Sequence, residues 1–243
     1  MKIIITGGAG FIGSHLTEHL SSIKKIKKII VIDNLKDGSK KNLKTALKSK
    51  KVSLYKLDIR NYKKILKHFR KTNVVIHLAA MSDIVPSIEK PIDYLETNFN
   101  GTLNVLEAMK KYKVNKIIYS ASSSCYGIPK KTPTQENEAI NPMYPYAFSK
   151  YIGEELINHY SKVYKLNYIS LRLFNVYGTR SRTNSAYGAA LGIFLKQKLE
   201  NKNFTIVGDG KQKRDFIHVS DVCKAFSKAI FSNHKKNDIG KFY

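Results

Sequence analysis

The chain has 243 residues, 43 of them Lys or Arg against 18 Asp or Glu, for a formal net charge of +25, and 42% of them are hydrophobic. That apolar share excludes a disordered basic tail and suffices for one large domain or two small lobes around a core. No apolar run reaches the roughly 18 residues of a membrane span, and glycines break the run after Ile5, so neither an anchor nor a signal segment is read and a cytoplasmic location is expected.

Short β-branched runs predict strands over Lys2 to Thr6, Lys28 to Asp33, Val52 to Leu57, Asn73 to His77 and Lys116 to Ser120. Amphipathic stretches between them predict helices over Phe11 to Ser22, Lys40 to Lys50, Tyr62 to Arg70 and about Ile92 to Tyr112. This alternation indicates βαβ units in a doubly wound α/β fold with a parallel sheet. A stretch punctuated by Pro129 and Pro145 follows, then a helix over Tyr146 to Tyr164 and a strand over Tyr168 to Phe174. The rest reads as a loop from Val176 to Ser185, a helix from Ala189 to Leu199, strands at Phe204 to Val207 and Asp215 to His218, and a helix from Ser220 to Phe231. The expected division is a dinucleotide-binding domain over 1–174 and a smaller, incomplete lobe over 175–243, interleaved with the first.

The charge is uneven: residues 1 to 75 carry +15, 76 to 170 carry +1 and 171 to 243 carry +9. Lys supplies 37 of the cations and Arg only 6, whereas phosphate forks favour Arg, so much of the excess reads as solvated surface. Cys125 and Cys223 have no partner spacing, so neither a disulfide framework nor a metal site is implied.

After the first strand, Gly7, Gly8, Gly10 and Gly13 fit both GxxGxxG and GxGxxG, with a helix following. Such glycines allow a tight turn and let backbone N–H groups approach a pyrophosphate at the helix's positive end. Asp33, 20 residues beyond Gly13, ends the second strand, where a carboxylate accepts from ribose hydroxyls and repels a 2′-phosphate, favouring NAD. The plain alternative is a glycine-rich turn without a ligand.

Tyr-x-x-x-Lys places a phenol and an ammonium on one helix face and lowers the tyrosine pKa. Chance alone gives about two such pairs in this composition, and there are three. Tyr126 and Lys130 straddle Gly127 and Pro129, and Tyr112 and Lys116 cross from a helix end into a strand, which leaves Tyr146 and Lys150, at the start of a helix. Ser120 to Ser124 lie at the carboxyl end of the fifth strand, where such sheets place ligands, although serines there also serve local backbone hydrogen bonds.

Taken together, TGGAGFIGSHL (6–16), VIDNL (31–35), HLAA (77–80), TNFNGTLNVLEA (97–108), SASSSCYG (120–127), YPYAFSK (144–150), LRLFNVYG (171–178) and GDGKQKRDFIHVSDV (208–222) resemble the extended short-chain dehydrogenase/reductases. Within them the chain is most similar to nucleotide-sugar epimerases of the UDP-glucose 4-epimerase type, across essentially its whole length.

The resemblance implies NAD as cofactor. It assigns Gly7, Gly10, Phe11, Ile12 and Gly13 to the pyrophosphate, Asp33 and Asn34 to the ribose, and Asp58 and Ile59 to the adenine. Leu78, Ala79, Ala80, Asn98 and Ser120 fall on the nicotinamide side. It makes Tyr146 the acid/base, Lys150 its partner and Ser122 the hydroxyl that polarises the sugar O4, with Ser82, Asn175 and Arg214 on the substrate. The implied reaction is transient oxidation at C4 of a nucleotide sugar, most readily a UDP-sugar, by a homodimer.

The 4,6-dehydratases of the family carry Asp-Glu directly after the catalytic hydroxyl, where this chain has Ser123 and Ser124. A 4-dehydrogenase or 4-keto reductase needs only the Ser, Tyr and Lys set. A non-catalytic, nucleic-acid-binding member of the fold would need a continuous basic surface and lost catalytic residues, but the set is intact in a nearly neutral region. The chain also stops earlier than the family pattern, at Gly240 to Tyr243, before the segments that select the nucleotide and sugar.

Overall fold

In the computed structural model, which describes residues 1–181, 190–206, 208–232 and 241–242, the apolar runs of the first half form the strands their β-branched content dictates. In chain order the regular elements are β1 (Lys2–Thr6), α1 (Phe11–Ser21), β2 (Lys28–Asp33), β3 (Val52–Lys56), α2 (Tyr62–Leu66), β4 (Val74–His77), α3 (Ile84–Glu89), α4 (Pro91–Leu95), α5 (Gly101–Lys111), β5 (Lys116–Ser122) and α6 (Pro145–Tyr164). They continue as β6 (Asn167–Leu173), β7 (Asn175–Tyr177), α7 (Ala190–Leu199), β8 (Phe216–His218), α8 (Val219–Phe231) and β9 (Lys241–Phe242).

Seven strands form one parallel sheet in the order β3-β2-β1-β4-β5-β6-β9, and β7 pairs with β8 separately. Successive side chains of a strand point to opposite faces. Ile3 and Ile5 therefore join Leu16, Leu20, Val222 and Phe226 beneath α1 and α8. Ile4 joins Val105, Leu106 and Ile157 beneath α5 and α6. With both faces covered, the central strands must be apolar through their middle, as Ile3 to Ile5 of β1 and Ile29 to Ile32 of β2 are. Strand order reverses between β1 and β4, which opens a crevice at their carboxyl ends.

Several expected elements change form. Lys40 to Lys50 is not one helix but two 3-10 turns, Lys40–Leu43 and Ala46–Lys48. Only Leu43 and Ala46 in those turns are buried, too few apolar anchors for a full helix. Ile92 to Tyr112 is split by a π turn at Glu96–Asn100, α3 lies where no element was read, and Phe204 to Ile206 are exposed and form no strand. Val176, read as loop, belongs to β7. The expectations at 182–185, Ala189, Val207, Gly240 and Tyr243 lie outside the described residues.

Part of the lysine excess is structural. Carbonyls of a helix's last turn have no intrahelical donor. Lys2 Nζ donates to the carbonyls of His68 and Arg70, at 2.7 and 2.6 Å. Lys51 Nζ reaches those of Ser21 and Ile23, and Lys116 Nζ those of Ile230 and Ser232, both at 2.9 Å. Among the described residues no helix is long and apolar enough to cross a membrane.

Candidate active site

A cleft of about 570 Å³ occupies the crevice. Every residue that the sequence assigns to cofactor, substrate or chemistry lines it except Asn98: Gly7, Gly10 and Gly13 with Phe11 and Ile12, then Asp33, Asn34, Asp58 and Ile59, then Leu78, Ala79, Ala80 and Ser82, then Ser120, Ser122, Tyr146 and Lys150, then Asn175 and Arg214. Lys36, Arg60, Asp83 and Arg180 also line it, although no motif in the sequence marks them.

The glycine loop is shaped as a cradle. Gly7 has φ +70°, and a Cβ on it would come within 2.6 Å of the Ala79 nitrogen on β4's exit. A Cβ on Gly13 would collide with the Gly7 carbonyl oxygen. Gly10 caps α1 without a side-chain hydrogen bond and no acid occupies the first turn, so the orphan N–H groups and positive end of α1 are left for an anion. A dinucleotide pyrophosphate fits this loop.

Asp33 Oδ2 accepts from the Ala9 N–H at 2.9 Å and Oδ1 from the Leu35 N–H at 2.8 Å, which fixes the carboxylate at the end of β2. Burial nevertheless raises its pKa. Asp58 takes two hydrogen bonds from the Arg60 side chain, at 3.1 and 2.8 Å, and one from Asn34 Nδ2 at 3.1 Å. Chiefly through Arg60, its carboxyl is held down to about 2.

Beneath Ala79 runs a chain of buried polar groups. The Ala79 N–H donates to Thr6 Oγ1 at 3.3 Å, and Thr6 Oγ1 lies 2.6 Å from His77 Nδ1. His77 Nε2 lies 2.9 Å from Thr102 Oγ1, which donates to the Asn98 carbonyl at 2.5 Å. Since Thr102 spends its proton on Asn98, His77 carries its own on Nε2 and accepts at Nδ1. Burial, aided by the charge of Lys150, pulls His77 down to about 3, so it stays neutral. Asn98 is buried rather than open to the cleft. Its side chain holds both backbone groups of Met81 and donates to Ser149 Oγ at 2.8 Å, joining that loop to α6.

Ser122, Tyr146 and Lys150 converge at the β5 end of the cleft. Ser124 donates to Ser122 Oγ from both its N–H, at 3.2 Å, and its hydroxyl, at 2.8 Å. Burial raises Tyr146's pKa above the ordinary phenol value; the Ser122 hydroxyl beside it opposes this and Asp83's charge adds to it. The four-residue spacing predicts that Lys150 lowers it. Instead the Lys150 ammonium sits 4.2 Å from the centre of the Tyr119 ring, and burial brings it down to about 7 against a partial counterweight from Glu154.

Lys150 therefore has a measurable cost. Unfolded it stays protonated to about pH 10.5, but folded it releases its proton near 7. The unfolded state binds more protons between those values, so stability rises with pH across that window and the burial penalty is complete below it. Lys150→Met should stabilise the cofactor-free protein by on the order of 3 kcal/mol at pH 6 to 7, and by little near pH 10. Thermal unfolding at pH 6, 8 and 10 checks this; a gain independent of pH contradicts it.

The chain matches the NAD dependent epimerase/dehydratase family over residues 3–240. It is 41% identical over 241 residues to a putative UDP-glucose 4-epimerase of Methanocaldococcus jannaschii, covering 98% of this chain and 75% of that protein. It is 35% identical over 256 residues to a dTDP-D-glucose 4,6-dehydratase of Dictyostelium discoideum, covering 100% of this chain and 57% of that one. A crystal structure of a mutant UDP-glucuronic acid 4-epimerase from Bacillus cereus, in complex with a fluorinated UDP-sugar and NAD, superposes with a TM-score of 0.90 at 33% identity, covering 100% of this chain and 76% of that chain. With the glycine cradle, the Asp33 carboxylate and the Rossmann strand order, the match over residues 3–240 establishes that the chain belongs to the NAD dependent epimerase/dehydratase family.

Proposed function

We propose that the chain inverts C4 of a UDP-hexose by way of a transient 4-keto sugar. The observation that carries this is the convergence of Ser122, Tyr146 and Lys150 on one end of a cleft whose other end is the glycine loop and Asp33. Ser122 accepts twice from Ser124, so its own proton is left to donate toward Tyr146 or a substrate oxygen. Tyr146 takes the proton of the sugar hydroxyl and later returns it. Burial alone opposes the phenolate, so this role needs a cation nearby, and Lys150 is the ammonium one helical turn on. His77, neutral and bonded at both nitrogens, is no competing base. Bound NAD supplies the hydride acceptor and donor that makes oxidation at C4 reversible. Arg214, exposed at the rim, and Asn175, which bonds the Asp215 carbonyl at 3.0 Å, hold the substrate diphosphate.

The dehydratase relative supports a second reading, but eliminating water across C5 and C6 needs an ionisable acid and base beside the keto sugar. Ser123 and Ser124 occupy the turn after Ser122 and offer neither. Ile84, Ile88, Ile92 and Leu95 on α3 and α4 and Phe148 on α6 are exposed, which supports a homodimer through these helices. Incubation with UDP-glucose, followed by NMR, should yield the C4 epimer without net NADH, from a species of twice the chain mass by sedimentation. A 6-deoxy-4-keto product or net NADH would replace this reading with dehydratase or dehydrogenase.

A further inference from the structure

Tyr119 of β5 is a buried ionisable side chain that the chemistry above leaves unused. The parallel register sets Thr6, His77, Tyr119 and Ser170 side by side across β1, β4, β5 and β6. Tyr119 belongs to the apolar cluster closed by α5 and α6, so this row runs beneath the catalytic helix. Lys150 meets it there. Its Nζ lies 4.2 Å from the centre of the Tyr119 ring, and the Tyr119 hydroxyl donates to the Lys150 carbonyl at 3.2 Å. One aromatic residue therefore touches both the backbone and the charged end of the lysine. Room for the hydroxyl comes from Gly153, where a Cβ would stand 2.7 Å from Tyr119 Oη.

The ionisable groups around Lys150 are His77 on β4, Tyr119 on β5, Tyr146 and Glu154 on α6, and Arg172 on β6 behind Glu154. Glu154 spends its oxygens on Arg172 and Ser170. His77 is neutral, so although its ring centre is 5.7 Å from that of Tyr119 it brings no second cation to the ring. An aromatic face attracts a cation through its quadrupole, and more strongly where water is excluded. We propose that Tyr119 is a positioning residue whose ring face holds the Lys150 side chain, in its charged form, beside Tyr146. That role rests on the 4-epimerase reading, in which the Tyr146 phenolate needs a cation, and names the residue that maintains it.

A double-variant cycle of Tyr119→Leu with Lys150→Met, read by urea unfolding of the full chain, separates the contact from plain packing. Folded Lys150 releases its proton near about 7, so the coupling should be about tenfold or more in the unfolding constant at pH 6 and vanish by pH 10. The cavity left by leucine is common to both backgrounds and does not titrate. Phenylalanine at 119 should keep the coupling, and pentafluorophenylalanine, of similar shape but with its quadrupole reversed, should lose it even where Tyr119→Leu does not fold. In the NAD-loaded protein Tyr119→Phe should turn over UDP-glucose within about twofold of wild type, and Tyr119→Leu about tenfold more slowly. A coupling that is absent, or equal at pH 6 and pH 10, overturns the assignment and leaves the epimerase reading in place. A wild type that does not turn over UDP-glucose removes that reading, while the pH dependence of the coupling still decides the contact.

Discussion

Tyr146→Phe is expected to lower kcat by roughly 100- to 10,000-fold, the range over which a positioned acid/base contributes. The substitution removes one oxygen and keeps the ring. The phenylalanine ring would retain the edge contact with Tyr94, whose ring centre lies 6.5 Å from that of Tyr146, and the helix would stay tied through Ser149 to Asn98. Fold and cofactor retention should therefore survive, and the loss should fall on kcat rather than KM. Steady-state kinetics with a parallel melting curve measures both. Full turnover by the variant would remove Tyr146 from the chemistry, whereas loss of folding would show in the melting curve.

The second large effect is structural. Glu154 on α6 is 1% exposed and receives Arg172 Nη2 at 2.5 Å, Arg172 Nε at 3.1 and 3.2 Å, and Ser170 Oγ at 2.5 Å. Arg172 Nη1 continues to Tyr126 Oη at 2.8 Å and the Glu136 carbonyl at 3.1 Å. One pair thus joins α6, β6, the turn after Ser122 and the segment before Asn141. Glu154→Ala strands a guanidinium in the interior and should cost about 3–5 kcal/mol. Replacing both partners by apolar residues, Glu154→Leu with Arg172→Met, should recover most of that loss, because the desolvation penalty goes with the charges. Urea denaturation of the single and double variants decides it; a single-variant loss under about 1 kcal/mol contradicts the assignment.

What the sequence revealed follows physical range. β1 and β2 have the bounds that their apolar runs predict, because strands buried on both faces declare themselves in composition. The Gly7 to Gly13 loop and Asp33 were legible because strand, turn and helix are adjacent in the chain. Tyr146 and Lys150 stand out from the other two Tyr-x-x-x-Lys pairs because no Gly, Pro or helix end interrupts them, again a local criterion. The break at Glu96–Asn100 was not legible, since it depends on Asn98 meeting Met81 and Ser149, the latter 51 positions away. Lys150's lowered pKa, and Tyr146's raised one, come from the packing of β4, β5 and α6 around them rather than from a spacing of four. The lysine excess hid Lys2, Lys51 and Lys116, whose partners are carbonyls of distant helix ends that no pattern in their own neighbourhood announces.

The pairing of α1 with α8 has a consequence for synthesis. Leu16 and Leu20 pack with Val222, Phe226 and Ile230 in one cluster, joined by Ile3 and Ile5 of the first strand. About 200 residues separate the two helices, so at roughly 5–20 residues per second the apolar face of α1 waits about 10–40 s on the ribosome for its cover. The opposite face, closed by α5 and α6, is complete sooner. The nascent chain therefore passes through a stage with half of its sheet covered and a row of isoleucines open. That stage, more than the finished fold, is where a ribosome-associated chaperone would engage this protein and where slow codons late in the message would lower its yield.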